Sequence, residues 1–323
     1  MSISTAQALI ANELAEVEKL ILAKVGSSYA PLAEALGGLV RSGGKRVRPT
    51  VALLAAHLFP ATRQRQLLSL AAAVEALHSA TLVHDDVIDG ALLRRGQSTL
   101  NAVWTPGGTV LAGNFFFARA AALAAETEHP RVIRLFAETL GVIVDGELRQ
   151  AFTARDWGQP KQGYYDRIYG KTAALFEVAA RAAAVLGDAG ADDEENLRSY
   201  GYNLGMAFQI VDDILDFVAE ADVLGKPAGS DLRAGIITLP VYYFIQQPEQ
   251  RDQLVALVDG QRSGDEVVTE AVQLIRQSEA IAQARAEAER FIDLAVADLS
   301  AFPPSPYRAA LADVAHYVIA RRN

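Results

Sequence analysis

The chain has 323 residues, 51% of them apolar, a net charge of -9 and no cysteine. That length suits one large domain or two ordinary ones with a sizeable core. The acidic balance argues against nucleic acid as a main partner, and the missing cysteines exclude disulfides and thiolate metal sites and fit a reducing compartment. No basic, apolar-cored leader is present, and no uninterrupted apolar run approaches the ~20 residues that span a bilayer. The expectation is a soluble, cytoplasmic protein.

Alanine is abundant and β-branched runs are short, which favours helix. Leu9, Leu14, Val17, Ile21 and Val25 form a helical stripe that stops near Gly26-Ser27-Ser28. A basic loop, Ser42-Gly43-Gly44-Lys45-Arg46-Val47-Arg48-Pro49, precedes an apolar helix through Leu53, Leu54 and Leu58 that Pro60 ends. Residues 66–88 keep a helical, largely apolar pattern for roughly six turns. A helix apolar on most sides is central. Residues 90–108 read as a loop carrying Arg94, Arg95 and Gly96. Helices follow at 109–126 and 131–152, then a break at Trp157-Gly158-Gln159-Pro160. Further helices cover 164–186 and 194–217. A polar loop over 220–235 holds Gly225-Lys226-Pro227, and the helical tail is interrupted by Phe302-Pro303-Pro304. No strand alternation of useful length occurs, so a single all-α domain over 1–323 is the simplest account.

Two acidic patterns stand out, Asp85-Asp86-Val87-Ile88-Asp89 and Asp212-Asp213-Ile214-Leu215-Asp216. Each follows an apolar run. Carboxylates in apolar surroundings are costly unless a positive group compensates them. The i, i+1, i+4 spacing puts the first and last Asp of each pattern on one helix face. Two such faces turned toward each other would crowd six carboxylates together, and oxygen-only ligands favour a hard ion such as Mg2+, which keeps waters and shares substrate phosphates. The flanks match loosely, Leu82-Val83 against Ile210-Val211, a weak sign of duplication.

The cations form separate spots: Lys45, Arg46 and Arg48; Arg94 and Arg95; Lys171 beside Thr172; and Lys226. Arg and Lys bind phosphate by charge-assisted hydrogen bonds, so several spots imply more than one phosphate group. Gly44-Lys45 is not a P-loop, because Leu39 stands where the leading Gly is required and Arg46 where Ser or Thr should be. Glu75-x-x-His78 and Glu126-x-x-His129 fit the di-iron bundle pattern, but Pro130 after His129 places that pair at a helix end on the surface. Taken singly, Lys171 and Lys226 read as surface lysines, His78 equally as a core histidine, Thr172 and Gln209 as groups satisfying backbone, and Arg46 as structural or exposed.

In combination and order, Gly43-Gly44-Lys45-Arg46-Val47-Arg48-Pro49, His78, Asp85-Asp86-x-x-Asp89, Arg94-Arg95-Gly96, Lys171-Thr172, Phe208-Gln209, Asp212-Asp213-x-x-Asp216 and Gly225-Lys226 resemble the trans-isoprenyl diphosphate synthase family. The resemblance implies an all-helical bundle around a deep central cavity, a homodimer, and head-to-tail condensation of an allylic diphosphate with isopentenyl diphosphate. It implies Mg2+, three ions with substrate bound, held by Asp85, Asp89 and Asp212, with Asp86, Asp213 and Asp216 assisting directly or through water. Arg94, Lys171 and Lys226 would hold the allylic diphosphate; Lys45, Arg48, His78 and Arg95 would hold isopentenyl diphosphate. Thr172 and Gln209 resemble the residues that face the developing carbocation. A long apolar product implies transient membrane contact on release.

Two departures stand out. Ile236 occupies the place of a second family Lys and cannot bind phosphate, and Asn114 stands where many relatives have Asp. Ala80 and Thr81, about one turn before Asp85, are small where bulky aromatics resemble a floor that stops chain growth. A close-packed wall admits a chain only where volume is missing, so the expected product is long, about C30–C50, with C20 as runner-up. Phe136 and Ile143 are candidates for a deeper floor. Two competing readings are a non-catalytic subunit of a heteromeric synthase, disfavoured by the intact Asp motifs and Lys45/Arg48, and a terpene cyclase, disfavoured by the 44–48 loop.

Overall fold

Ten consecutive residues of one helix, Val47–Ala56, are all buried, and so is most of a second, Gln64–Ile88. Helices buried around most of their circumference are interior ones, and they organise the chain. The computed structural model describes residues 3–24, 26, 29–41, 43–60, 63–94, 96–218, 228–258 and 265–321. In chain order the helices are α1 Ile3–Ala8, α2 Ala11–Lys24, α3 Ala30–Arg41, α4 Val47–Ala56, α5 Gln64–Ile88, α6 Leu100–Val103, α7 Pro106–Ala125, α8 Pro130–Phe152, α9 Lys161–Ile168, α10 Ala174–Leu186 and α11 Ala191–Val218. Shorter and longer helices continue to Ala320. Among the described residues the sheet is one minimal hairpin, β1 Leu93–Arg94 paired antiparallel with β2 Gln97–Ser98. The all-α expectation holds.

The chain divides into two units. The first comprises Met1–Leu140, Leu175–Gly201 and Ala295–Tyr317; the second comprises Gly141–Ala174, Tyr202–Leu294 and Val318–Asn323. In the first, α5 packs most extensively on α7, then on α4 and α2. Gly113 of α7 lies against His84 of α5, where a Cβ would come within 2.4 Å of the imidazole. The basic loop before α4 is held by Arg46. Its φ of 46° is left-handed, a strained setting for a side chain. Its guanidinium compensates by pairing with Glu75 at 2.6 Å and Glu18 at 2.9 Å and by donating to the Val40 carbonyl. Arg46 is therefore structural, and Glu75 is occupied by it.

Several boundaries differ from expectation. The helix expected at 109 begins at Pro106, because the Thr105 hydroxyl accepts the Gly108 amide and proline suits the first turn. His129 precedes the start of α8; it does not end a helix, since Pro130 opens one. The expected loop 90–108 contains the hairpin and α6, whose N-cap Thr99 accepts the Ala102 amide. Although uninterrupted apolar runs are short, α5 and α7 are long and apolar enough to cross a membrane; the α5 window is 72% buried inside the protein and is a core helix.

The second unit is built on a cluster of Phe217, Ile237, Val241, Phe244 and Ile275. The helix expected to run unbroken over 164–186 is interrupted by a π turn, Tyr169–Ala173. Small residues on either side let neighbouring backbones close in. A Cβ on Gly170 would sit 2.8 Å from the Gly146 Cα, and one on Gly205 would sit 2.5 Å from the Ala173 Cα.

Candidate active site

Each unit carries one acidic motif at the C-terminal end of a helix. Asp85 and Asp86 lie in the last turn of α5, and Asp89 is its C-cap. Asp216 lies in the last turn of α11, with Asp212 and Asp213 one turn earlier. A helix C-terminus carries negative partial charge, so carboxylates there are disfavoured by about 0.3–1 kcal/mol each, and neither last turn contains a basic residue. Both helix ends therefore call for external positive charge.

In the first unit Asp86 is buried, and Arg94 of β1 donates to it from Nε at 2.8 Å. Burial pushes the Asp86 carboxyl up; Arg94 opposes this and Asp89 adds to it. The backbone carbonyl of Asp86 accepts Asn101 Nδ2 at 3.1 Å, which ties the helix end to α6. Asp85 is half-buried and Asp89 exposed, so these two carboxylates, i and i+4, are the accessible pair. Arg48 is buried with its guanidinium 4.5 Å from the Phe176 ring centroid; Lys45 is exposed, its ammonium 5.7 Å from the Tyr317 centroid. His78 is half-buried on α5. Ala80 is fully buried and Thr81 partly so, its hydroxyl donating to the His78 carbonyl. Asn114 is exposed on α7. Arg95 lies outside the described residues.

In the second unit the motif is woven into hydrogen bonds. Thr172 donates to Gln209 Oε1 at 2.6 Å, Gln209 Nε2 donates to Asp213 Oδ1 at 2.8 Å, and the Tyr164 hydroxyl donates to Asp213 Oδ2 at 2.8 Å. Burial, then the charge of Asp231, pushes the Asp213 carboxyl up to about 7, against the pull of Gln209, Tyr164 and Arg167. Asp216 is buried and accepts Ser230 Oγ at 2.7 Å and the Asp231 amide at 3.1 Å. Asp212 is the open member, yet Arg321 reaches it at 2.7 Å. Arg321 is itself buried, donates to the Phe208 carbonyl and lies 3.9 Å from the Phe208 ring centroid. Lys171 donates to Gln150 at 3.3 Å. Ile236 is half-buried and brings no charge. Lys226 lies outside the described residues.

Among the described residues no three acidic or histidine side chains are gathered ready around a metal position. The donor set still fits a hard cation, since all candidate ligands are carboxylate oxygens. Arg94 and Arg321 sit on the motifs as internal cations. The two motifs divide differently: Asp85 and Asp89 are reachable in the first and only Asp212 in the second, whereas Asp86, Asp213 and Asp216 are buried and already hydrogen-bonded.

Sequence reading missed Tyr164, Ser230 and Arg321. Ser230 and Arg321 carry no local signal, being brought to their partners by the fold. Tyr164 stands eight residues before Thr172, and only the π turn, which apolar periodicity does not reveal, brings the two onto one face.

The polyprenyl synthetase family profile matches residues 30–275. A heptaprenyl diphosphate synthase component 2 of Geobacillus stearothermophilus is 36% identical over 98% of this chain and 98% of its own length. The octaprenyl diphosphate synthase of Escherichia coli is 33% identical over 99% of each. A crystal structure of a polyprenyl synthase from Caulobacter crescentus, complexed with calcium and isoprenyl diphosphate, superposes with a TM-score of 0.94 at 35% identity, covering 100% of this chain and 98% of that one.

Proposed function

Because the chain belongs to the polyprenyl synthetase family, we infer that it is a prenyltransferase that condenses isopentenyl diphosphate head-to-tail with an allylic diphosphate. Its product is a long all-trans polyprenyl diphosphate of about C30–C50. The observation that carries this reading is the pair of helix-end carboxylate motifs that call for outside positive charge, together with full-length similarity to synthases named for seven- and eight-unit products. The small side chains of Ala80 and Thr81, about one turn before the first motif, support the long product over C20.

We assign Asp85, Asp89 and Asp212 to Mg2+. Asp86, Asp213 and Asp216 hold the helix ends in register. Bound Mg2+ supplies charge neutralisation for the departing diphosphate. Three ions with substrate bound is the count we propose. Lys171, Arg94 and Lys226 bind the allylic diphosphate; Lys45, Arg48, His78 and Arg95 bind isopentenyl diphosphate, the arginines as planar forks. The allylic C–O bond breaks and its electron pair leaves with the diphosphate. The isopentenyl double bond then attacks the cation, a C–C bond forms, and a proton is lost to the released diphosphate. The Thr172 hydroxyl and Gln209 carbonyl lie hydrogen-bonded together, as dipoles suited to a passing cation. Exclusion of water keeps that cation from hydrolysis.

We also propose one functional domain over 1–323 and a homodimer. Exposed apolar rows support the dimer: Val110 and Leu111 on α7, and Ile133, Val144, Leu148 and Phe152 on α8 at helical spacing. A subunit of a heteromeric synthase is the second reading, favoured by the component 2 name of one relative. Turnover by the purified chain alone, with labelled isopentenyl diphosphate, an allylic primer and Mg2+, supports the first reading; turnover only after a second polypeptide is added supports the second. We place the enzyme in the cytoplasm, with transient membrane contact at product release.

A further inference from the structure

A buried tyrosine that no motif includes is tied to the carbocation-facing pair through an aspartate. Tyr164 is fully buried, and its hydroxyl donates to one oxygen of Asp213 at 2.8 Å. The other oxygen of Asp213 accepts the Gln209 amide nitrogen at 2.8 Å, and the Gln209 carbonyl oxygen accepts Thr172 at 2.6 Å. The chain of donors runs in one sense only. A phenol and an amide NH2 both donate to the carboxylate, so the Gln209 carbonyl is left facing Thr172.

The geometry is a two-rung ladder. Gln209 and Asp213 are i and i+4 on α11, hence on one face. Tyr164 and Thr172 share a face because of the π turn at Tyr169–Ala173. The rungs are Tyr164 to Asp213 and Thr172 to Gln209. The Gly205–Ala173 approach brings the two backbones close enough for both rungs to form.

We propose that Tyr164 is a positioning residue: by holding Asp213 it fixes the orientation of the Gln209 amide and so presents the Gln209 carbonyl, not its NH2, on the Thr172 side. This rests on the reading that Thr172 and Gln209 serve the allylic cation. Without the phenol, Asp213 can turn to another donor, and the amide loses the partner that forbids its flip. A flipped amide would aim partial positive charge at a developing cation.

Four variants test it. Tyr164→Phe removes the hydroxyl and keeps the ring. Tyr200→Phe is the comparison, a fully buried tyrosine in the first unit whose hydroxyl donates to the Leu311 carbonyl at 2.9 Å. Both lose one buried hydrogen bond, so both lower the thermal midpoint by similar amounts. Expected for Tyr164→Phe alone is a fall in kcat of roughly 10–100-fold, by analogy with lost preorganised dipoles, with KM for either diphosphate within about twofold. A Gln209→Leu variant and the Tyr164→Phe/Gln209→Leu double variant complete a cycle. If Tyr164 acts through Gln209, the double variant turns over within about twofold of Gln209→Leu. Additive losses would overturn the proposal, as would equal kcat for Tyr164→Phe and Tyr200→Phe. An active wild type with either of those outcomes sinks the positioning role alone; an inactive wild type sinks the functional reading and this role with it.

Discussion

At the residue scale the site is organised by cations that the protein supplies itself. Asp86 is answered by Arg94 and Asp212 by Arg321. Arg321 reaches its partner from the end of the chain, so nothing near the second motif in sequence announces it. If Arg321 stands in for a metal ion at Asp212, the two compete. Arg321→Ala should then raise the affinity of the substrate-free chain for Mg2+ by roughly twofold to fivefold, about the worth of one partly exposed ion pair; titration calorimetry measures it. Weaker or unchanged metal binding would show that Arg321 does not occupy the metal position. Ala80 was legible because side-chain size can be read directly from sequence. Ala80→Phe should shorten the product by at least one C5 unit, read by chain-length analysis. Because Ala80 is fully buried, the larger ring also costs about 1–3 kcal/mol in overpacking. Thr81→Phe, at a half-buried position, keeps the test open if the first variant folds poorly. Unchanged length in both would show that side-chain size before Asp85 does not set product length.

At the element scale the helices were legible and the π turn was not. Apolar periodicity located α5, α7, α8 and α11 to within a few residues, because each has a stripe that water cannot share. Periodicity smooths over a single inserted residue, so α9 and α10 read as one helix. The insertion matters because it rotates Thr172 onto the face of Tyr164. The close approach of Gly170 to Gly146 holds it there. Gly170→Ala would press a Cβ to within 2.8–3.0 Å of backbone atoms of Gly146 and Val142. We expect a loss of about 1–3 kcal/mol in chemical denaturation and a lower kcat. Gly38→Ala, on an open face of α3, should be neutral or stabilising by comparison. A second element-scale device ties α9 to the helices Leu239–Phe244 and Ala280–Asp298. Glu287 accepts Lys161, Tyr165, Tyr243 and Arg290, each at 2.7 Å. Burial works to raise its carboxyl, but these donors prevail and hold it at about 2. A depressed carboxylate adds stability above its unfolded value, and that stability is lost as pH falls toward 2. Glu287→Gln should therefore cost stability near neutral pH and flatten the acid limb below about pH 4.5. A denaturation midpoint with an unchanged acid limb would place the titrating group elsewhere.

At the scale of the whole molecule, the order of motifs along the chain was the most legible feature of all. Two acidic patterns, each after an apolar run, and several cationic spots point to a hard cation and more than one phosphate group, and their order carries the family resemblance that implies diphosphate condensation. Composition could not reveal that the motifs belong to different units, nor that four of the six carboxylates (Asp86, Asp212, Asp213 and Asp216) are held by internal donors, because those facts arise from contacts that the fold creates. Nor could it reveal which apolar residues stay on the surface. The exposed rows on α7 and α8 appear only once each helix has chosen its buried face. The most direct measurement is product analysis of the purified chain alone with an allylic diphosphate, labelled isopentenyl diphosphate and Mg2+. The predicted result is a Mg2+-dependent all-trans product of about C30–C50. A chain that stops at C20 under excess isopentenyl diphosphate, or that incorporates no label without a second polypeptide, would contradict it.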